Sequence, residues 1–498
     1  MKNYCIAVLD IGKTNKKILI YDQDLKIVDE KFIRIPEIEE DNVQYDDVES
    51  LKSWILSTFS ELSGKYDIRA IATSAHGATY SLVGEEGNHA VPQVAYTTDP
   101  GEALQKQFYN LCGDPIALQS STATPNFNLL INPAKGIYFS QQKFPEQFAQ
   151  AKHLLFYPQF FGHWLTGEVC ADPTYAGNHT YLWDFEQSDW SQVADKLHIR
   201  NLLPKVIKNP WDVMGTIKPE IALQTGLHGD TLVTVGIHDS NASMLPYLIS
   251  EQSPFLLNST GTWCVIMNEK DQVRFEKDEL GKVVFYNLNA FGRPVKTAIF
   301  LGGMEFEFYA EILQKIHKRT DFPAFNEQLV QQIIDDKTKF ILPSVAKGIG
   351  QFPESEARVV DGDQVYALED IRSGRLIPGF FHHYEEALAV LNLSLAIQTK
   401  VSFDRAGITP GMNVFTEGGF AKNDSYNALL TAFYPDSQFF LTDLKQASAF
   451  GAAITGKAAY EQADVQSLAK FIRIDKKQVK AGHLENLNKY YERFISLI

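Results

Sequence analysis

The chain contains little cysteine and no closely spaced cysteine pair. Its four cysteines are scattered among 498 residues, and no two of them form a Cys-x-x-Cys sequence. This pattern excludes a disulfide framework or a cysteine-rich zinc site as the basis of the fold, and it is typical of proteins from a reducing compartment. We therefore expect a cytoplasmic protein.

Long apolar runs are also missing. The apolar segment nearest the start, Tyr4 to Leu9, ends at Asp10 after six residues. A signal peptide needs a longer apolar stretch followed by a small-residue cleavage site, and a membrane-spanning helix needs about 18 apolar residues. The sequence thus predicts a soluble protein that is neither exported nor associated with a membrane.

Positive charge is in deficit. The chain has 46 Lys and Arg residues against 61 Asp and Glu residues, which gives a formal net charge of −15. A surface of this sign repels phosphate at long range, so nucleic acid is not expected as a partner, although a local basic pocket for a small phosphorylated ligand is compatible with it. Hydrophobic residues at 45% and charged residues at 21% are typical of globular proteins, which excludes disorder as the dominant character.

Two similar strand–turn–strand units are present, about half a chain apart. The first consists of the apolar strand 4–9, a polar turn over 10–15 and a second strand 17–21, and the second unit occupies 255–267. Amphipathic segments between further apolar strands indicate an α/β fold. We predict two similar domains, 1–246 and 247–498, with a linker in the proline-containing stretch 245–254.

The first turn, Asp10-Ile-Gly-Lys-Thr-Asn15, has the composition of a phosphate-binding loop. Gly, Thr and Asn let backbone N–H groups and hydroxyls converge on a phosphate, Lys17 adds positive charge, and Asp10 at the end of a buried strand suits Mg²⁺. An ordinary hairpin turn has a similar composition. The second turn, Ser259-Thr-Gly-Thr262, favours phosphate binding, because two opposed hairpins would clamp a polyphosphate.

A carboxylate follows another apolar strand in the segment Gly236-Ile-His-Asp-Ser240. Asp239 could accept a proton from a substrate hydroxyl while His238 hydrogen-bonds the substrate. The alternative is that Asp239 only caps a helix, since Asp and Ser are favoured at helix starts. Residue types alone favour the cap.

Two glycine-containing segments of the second half receive different interpretations. In Thr416-Glu-Gly-Gly-Phe-Ala-Lys-Asn423, the paired glycines would let the backbone approach a flat ligand such as adenine, with Asn423 as a hydrogen-bonding partner. A strand-to-helix turn is the alternative. The segment 451–458 fits the P-loop spacing, but Ala458 stands where Mg²⁺ binding needs Ser or Thr. We interpret it as a site of close helix packing.

Taken in order, these segments resemble the motifs of the FGGY family of carbohydrate kinases over about residues 4–462. The resemblance covers the first phosphate motif at 10–15, the catalytic-aspartate motif at 236–239, the second phosphate motif at 259–262, the adenosine motif at 418–423 and the central Leu-Thr-Gly-Glu stretch at 165–172. His238-Asp-Ser240 is similar to the His-Asp-Thr of the L-fuculose and L-rhamnulose kinase branch.

The resemblance implies two ribonuclease-H-like α/β domains of the actin/Hsp70/hexokinase type, with the active site in the cleft between them. It implies ATP-dependent, Mg²⁺-assisted phosphorylation of a sugar hydroxyl, with a ketose such as L-fuculose, L-rhamnulose or a pentulose as substrate. It also implies the following roles: Asp239 as general base; Asp10 at the metal; His76, Gly77, Asp172, His238 and Asp239 at the sugar; and Thr14, Asn15, Lys17, Gly261, Thr262, Gly303, Gly419 and Asn423 at ATP.

Three departures from the family pattern lie in the sugar-binding part. The segment 96–101 lacks the Trp and Arg of Trp-x-Asp-x-Arg, Thr79 stands where the branch has Asp, and Asn132 stands where the family has Thr or Ser three residues before Lys135. We expect a divergent sugar pocket beside a nucleotide pocket close to the pattern. The alternatives are a polyol or aldose kinase and a catalytically silent sugar- or nucleotide-binding regulator. An actin-like filament is disfavoured, because His-Asp-Ser has no role in one. The oligomeric state is open, with a homodimer as one alternative.

Overall fold

The computed structural model describes residues 3–480 and 482–498. The strands of the first half are β1 (Cys5–Ile11), β2 (Lys16–Asp22), β3 (Ile27–Ile33), β4 (Ile38–Glu40), β5 (Val43–Tyr45), β6 (Ile68–Ala75), β7 (Tyr80–Val83), β8 (His153–Phe156), β9 (Trp183–Asp184), β10 (Asp189–Trp190), β11 (Val213–Thr216), β12 (Leu232–Thr234) and β13 (Ile237–His238). Its helices are α1 (Val48–Ser63), α2 (Gly101–Cys112), α3 (Pro115–Thr122), α4 (Pro133–Lys143), α5 (Pro145–Phe148), α6 (Tyr157–Thr166), α7 (Pro173–Ala176), α8 (Gln192–Lys196), α9 (Pro219–Thr225) and α10 (Asp239–Ser250).

The main sheet of this half has the strand order β11-β12-β6-β1-β2-β3, and β13 also pairs with β6. β1 and β2 form an antiparallel hairpin, whereas β1, β12 and β13 each run parallel to β6. The apolar side chains of β1 are buried, as expected of a strand covered on both faces. Because β1, β6 and β13 are parallel, their carboxyl ends meet at one edge of the sheet.

The second half repeats this plan. Its strands are β14 (Phe255–Thr260), β15 (Cys264–Glu269), β16 (Val284–Leu288), β17 (Pro294–Phe300), β18 (Lys339–Leu342), β19 (Arg358–Asp361), β20 (Gln364–Ala367), β21 (Asn413–Gly418), β22 (Gln438–Thr442) and β23 (Lys476–Gln478). Its helices are α11 (Gly302–His317), α12 (Glu327–Asp336), α13 (Leu368–Ser373), α14 (Tyr384–Ala406), α15 (Asp424–Phe433), α16 (Ala447–Glu461) and α17 (Leu487–Ser496). Short 3₁₀ helices lie at 379–382, 419–422 and 465–471.

The second main sheet has the order β16-β17-β15-β14-β21-β22-β23. β14 and β15 form an antiparallel hairpin, and β14, β21 and β22 are parallel, as β1, β6 and β12 are in the first sheet. The predicted repeat and the predicted fold of two ribonuclease-H-like units are therefore confirmed. Both hairpins have longer strands than predicted, so Asp10 belongs to β1, opposite Lys17 of β2, and not to the turn.

Two helices cross between the sheets. α10 packs against α16, and α16 also contacts β1 and β6, so this part of the second half lies on the first sheet. Pro246 within α10 has no N–H, which leaves the carbonyl of Ala242 without its helical donor. Gly451 of α16 approaches that carbonyl so closely that an added Cβ would lie 1.9 Å from its oxygen. The P-loop-like segment is thus a helix-packing site, as the sequence predicted.

The predicted linker differs from the structure. Most of the stretch 245–254 belongs to α10, and Leu245 and Tyr247 are fully buried. The helix persists through Pro246 because its apolar face packs against α16 and the second sheet, which outweighs one missing hydrogen bond. The division of the chain at 246/247 falls inside this helix and stays a prediction. In the part of the chain that the structure describes, no helix combines the length and apolar character needed to cross a membrane.

Candidate active site

A cavity of about 280 Å³ lies in the cleft between the two halves. The carboxyl ends of β6 and β13 and the loops after them form one side, and strands β15, β16 and β17 form the other. The polar side is lined by Lys13, His76, Asn178, His179, His238, Asp239 and Ser240. The opposite side is largely apolar, and we call Phe127, Ile131, Trp263, Val265, Phe285 and Ile299 the apolar wall.

Asp239 lies at the polar side as the first residue of α10. It follows directly on β13, which ends beside β6, so the sheet edge aims this helix start at the cleft. Its Oδ1 accepts a hydrogen bond from the N–H of Ser240 at 2.6 Å, and the side chain is 35% exposed. The N-cap position belongs to His238. Burial raises the pKa of Asp239.

His76 follows β6 and contributes a neutral imidazole. Burial lowers its pKa to about 4. Its Nδ1 lies 3.0 Å from the carbonyl oxygen of Gly77, and no hydrogen-bond partner of its Nε2 is found within the described residues. An imidazole of this kind donates from Nδ1 and keeps Nε2 as an acceptor, a form suited to binding a hydroxyl.

His238 is a second neutral imidazole, since burial lowers its pKa to about 3. Its Nε2 lies 2.7 Å from Nδ2 of Asn178 and 3.4 Å from Oδ1 of Asp239. Gly77 lets the histidines pack closely, because an added Cβ would lie 2.7 Å from Nε2 of His238 and 3.1 Å from Nε2 of His179. The structure thus brings together His76, Gly77, His238 and Asp239, as predicted for the sugar site.

Asp172 lies elsewhere. It is fully buried at the start of α7, and it does not line the cavity. Its carboxylate accepts hydrogen bonds from the N–H and hydroxyl of Thr174 and from Gln159, and the hydroxyl oxygen of Thr174 in turn accepts the N–H of His238 at 3.0 Å. Asp172 therefore contacts the site through Thr174, which fixes the backbone just before Asp239.

Asp10 lies near the end of β1, at the same edge of the sheet, and it is not among the residues that line this cavity. Its Oδ1 accepts a hydrogen bond from Ser448 of α16 at 2.9 Å, and burial raises its pKa to about 6. In residues 3–480 and 482–498, no three His, Cys, Asp or Glu side chains converge as a metal-binding cluster. Asp10 suits Mg²⁺, which prefers oxygen ligands and keeps several waters. The nucleotide and water would supply the other ligands.

The first hairpin tip adds polar groups beside Asp10. Thr14 is exposed, and Oδ1 of Asn15 accepts a hydrogen bond from Arg34. The ammonium of Lys17 lies 2.5 Å from Oε1 of Gln446, immediately before α16. Lys13, which was not predicted as a site residue, lines the cavity at Asp239, where Asp46 and Glu37 neutralise it and its ammonium lies 4.7 Å from the ring centre of Tyr96.

The second hairpin tip packs against α11. An added Cβ at Gly303 would lie 2.0 Å from the carbonyl oxygen of Gly261 and 3.0 Å from Cα of Thr262, so only glycine fits there. Gly418 has a φ of +82° and lies equally close to Thr260. The predicted residues Gly261, Thr262 and Gly303 thus form one compact group beside the paired glycines.

A larger cavity of about 940 Å³ adjoins this group, beside Gly419, which was predicted to bind ATP. Its lining includes Ser243, Ser259, Glu417, Gly418, Gly419 and Ser448. Burial raises the pKa of Glu417 to about 7, and Tyr247 donates a hydrogen bond to its carboxylate. Asn423 lies apart from this cavity. It caps α15 through Oδ1 and donates to Asn392, so its amide is already engaged.

The sequence did not predict several lining residues. Asn178 and His179 follow α7 without a recognisable motif, and His179 has a φ of +43°. The apolar wall comes from four separate segments whose alternating pattern is also that of ordinary strands and loops. Ser448 lies in the first turn of α16, and its contact with Asp10 joins residues 438 positions apart, which no local pattern could indicate.

Comparison with known proteins agrees with this geometry. Residues 5–246 match the N-terminal domain of the FGGY family of carbohydrate kinases, and residues 252–465 match the C-terminal domain of carbohydrate kinase FGGY. The chain is 23% identical to an L-fuculokinase from Salmonella typhi over 464 residues, or 92% of each chain. It is 25% identical to a rhamnulokinase from Enterococcus faecalis over 201 residues, 39% of this chain and 38% of that one.

Solved structures show the same fold. A carbohydrate kinase from Novosphingobium aromaticivorans superposes with a TM-score of 0.79 at 22% identity, covering 100% of this chain and 99% of that one.

Proposed function

The chain belongs to the FGGY family of carbohydrate kinases, and from this membership we propose that it phosphorylates a neutral ketose that ends in a methyl group, of the L-fuculose or L-rhamnulose type. Family membership makes it an ATP-dependent sugar kinase. The observation that supports the finer proposal is the arrangement of Asp239 and neutral imidazoles opposite the apolar wall.

Asp239 is the proposed general base. A sugar hydroxyl beside it gives up its proton to the carboxylate as its oxygen attacks the γ-phosphorus of ATP. The bond from that phosphorus to the β,γ-bridging oxygen breaks, and ADP leaves. His76 would hold the hydroxyl through its neutral Nε2, which has no hydrogen-bond partner among the described residues, whereas Nε2 of His238 is paired with Nδ2 of Asn178.

Asp10 is the proposed metal-binding carboxylate. Its position at the end of β1, beside the first hairpin tip, suits an ion bound mainly by phosphate oxygens and water. Mg²⁺ at this position would neutralise charge on the phosphates. Ser448 would orient the Asp10 carboxylate by its hydrogen bond.

The apolar wall favours a deoxy sugar. Phe127, Phe285 and Ile299 are each more than 90% buried and pack into one cluster with Trp263 and Val265. A terminal methyl gains about 0.8 kcal/mol from burial there, and a hydroxyl buried there without a partner costs at least about 1 kcal/mol. The sum of about 2 kcal/mol corresponds to roughly 30-fold in kcat/KM.

A coupled ADP-release assay tests the proposal. L-fuculose is compared with L-tagatose, which differs by a hydroxyl on the terminal carbon, and with L-rhamnulose, D-xylulose, L-fucose and glycerol. We expect the deoxyketoses to exceed L-tagatose by roughly 30-fold in kcat/KM. Val265→Thr places an isosteric hydroxyl in the wall and should narrow that ratio, whereas Val206→Thr, at an exposed position, should leave it unchanged.

Preference for glycerol or L-fucose would show that the substrate is a polyol or an aldose. Absence of turnover with every sugar, together with intact ATP binding, would support a silent regulator.

A further inference from the structure

The first turn of α4 holds two fully buried polar side chains, Asn132 and Lys135. They lie three residues apart, at the N-cap and in the first turn, and therefore lie on the same side of the helix. Neither lines the sugar cavity. Asn132 contacts the two segments that do, the loop 123–132 and the segment 177–182, and Lys135 contacts the first of them.

Asn132 joins these two segments. Its Oδ1 accepts the N–H of Phe127 at 3.0 Å, and its Nδ2 donates to the carbonyl oxygens of Pro125 at 3.1 Å and of His179 at 3.0 Å. Both N–H bonds and the carbonyl of the amide are thus used. A Ser or Thr at this position has one hydroxyl proton and a shorter side chain, so it cannot reproduce all three hydrogen bonds.

Lys135 holds the same loop through its ammonium group. Its ammonium donates to Oε1 of Gln105 at 2.9 Å, to Oδ1 of Asn126 at 2.5 Å and to the carbonyl oxygen of Phe127 at 2.5 Å. The ring of Tyr109 lies 5.1 Å from the nitrogen. All three acceptors are uncharged, and together they use the three N–H donors of the ammonium group. Burial of a charged ammonium group is costly, and for this reason it lowers the pKa of Lys135 to about 7.

The two residues held in place form one corner of the sugar cavity. The rings of Phe127 and His179 meet edge to face with centres 5.6 Å apart, and both contact Phe285 from the other half. The positive φ of His179 is unfavourable for a residue with a side chain, so this backbone needs external support. The hydrogen bond from Asn132 to its carbonyl supplies such support.

We propose that Asn132 and Lys135 are positioning residues that set the shape of the sugar cavity by fixing Phe127 and His179. This inference rests on the proposed function, because it assumes that the cavity binds the sugar. On this proposal, Asn132, which stands where the family has Thr or Ser, contributes to the selection of the sugar.

Asn132→Ser and Lys135→Met test the proposal. Asn201→Ser and Lys143→Met are matched controls, since both residues are exposed and Lys143 lies at the far end of the same helix. KM and kcat are measured with L-fuculose or with the best sugar of the substrate screen, and ADP affinity is measured by calorimetry. Lys135→Met leaves three acceptors without their donor, the buried carbonyl of Phe127 among them, so Asn132→Ser is the decisive variant if Lys135→Met does not fold.

We expect Asn132→Ser to raise the sugar KM about tenfold, as expected from one lost hydrogen bond. The kcat should stay within about threefold and ADP affinity within about twofold, because Asp239 and the nucleotide side are untouched. A uniform loss of folded enzyme would lower the apparent kcat and leave KM unchanged. An unchanged KM in Asn132→Ser would overturn the proposal.

A spectrum of protein labelled with ¹³C at histidine separates this inference from the proposed function. The signal of His179, assigned from His179→Gln, should shift in Asn132→Ser, while those of the exposed His382 and His383 stay in place. This readout needs no substrate. If the wild-type enzyme phosphorylates no sugar, the proposed function fails, and the shift of His179 still decides whether Asn132 positions it. An unshifted signal refutes the positioning role.

Discussion

Replacing Asp239 by Asn separates a catalytic role from a structural one. The side chain keeps its size and its Oδ1, so the hydrogen bond from the N–H of Ser240 at 2.6 Å can persist. The change removes the negative charge and the ability to accept a proton. It leaves the apolar wall and the larger cavity unaltered, since Asp239 lies on the opposite, polar side of the smaller cavity and does not line the larger one.

The expected magnitudes differ widely between the two roles. Loss of a general base typically costs 10²–10⁴-fold in rate, or roughly 3–5 kcal/mol of transition-state stabilisation. His238 holds the N-cap position and Asn keeps the Oδ1 that accepts the N–H of Ser240, so the free energy of unfolding should change by less than about 0.5 kcal/mol. We therefore expect turnover to collapse while the melting temperature stays close to that of the wild type.

The measurement combines three readouts: the rate of ADP release, the melting temperature and ADP affinity by calorimetry. Asp114→Asn is the matched control, because Asp114 caps α3 through the N–H groups of Ile116 and Ala117 and is exposed. The control should leave all three readouts unchanged. An Asp239→Asn enzyme that phosphorylates sugar at an undiminished rate would refute the assignment of Asp239 as general base.

Three further predictions concern the supporting residues. Gly303→Ala should abolish nucleotide binding in calorimetry, because its Cβ would lie 2.0 Å from the carbonyl oxygen of Gly261; retained affinity would contradict the packing at the hairpin tip. Asp172→Ala should lower the free energy of unfolding by about 1–3 kcal/mol, since two donors of Thr174 and one of Gln159 lose their acceptor; unchanged denaturant unfolding would argue against this network. Glu417→Gln should raise the melting temperature at pH 8.5 far more than at pH 5.5. Burial raises the pKa of Glu417 to about 7, so the stability that the protonated carboxyl group provides at low pH is lost as the pH rises through that value. The loss is on the order of 3 kcal/mol in the free energy of unfolding. An equal effect of Glu417→Gln on the melting temperature at both pH values would disprove this.

Much of the fold was predictable from local patterns. The apolar strand before Asp10 and the strand before Gly418 were recognised from short runs, and the likeness of the two hairpins indicated the repeat. The prediction of a linker near Pro246 was wrong, because the rule that proline ends helices considers only the local sequence. At this position α16 packs against the carbonyl that proline leaves free.

The glycine turns were easier to predict than the full lining of the cavity at Asp239, for a physical reason. Phosphate and adenine are approached by backbone, which requires glycine at fixed places in a turn, and such turns are continuous in sequence. The paired glycines at 418–419 and the tip at 261 are examples. The sugar cavity is formed by side chains that come together only in the folded chain, as Phe127 and Phe285 do.

The three departures from the family pattern converge on that cavity. Tyr96 lines it, with its ring beside the ammonium of Lys13 and the imidazole of His76. Thr79 is buried behind His76, with its hydroxyl 3.4 Å from Nδ1. Asn132 fixes Phe127 and His179 from the opposite side. Each departure therefore either lines the cavity or contacts a side chain that lines it. Asp239 and the glycine turns, in contrast, keep the family pattern. We expect that sugar selection can change through such neighbours without disturbing phosphoryl transfer, because no hydrogen bond found among the described residues joins Thr79 or Asn132 to Asp239.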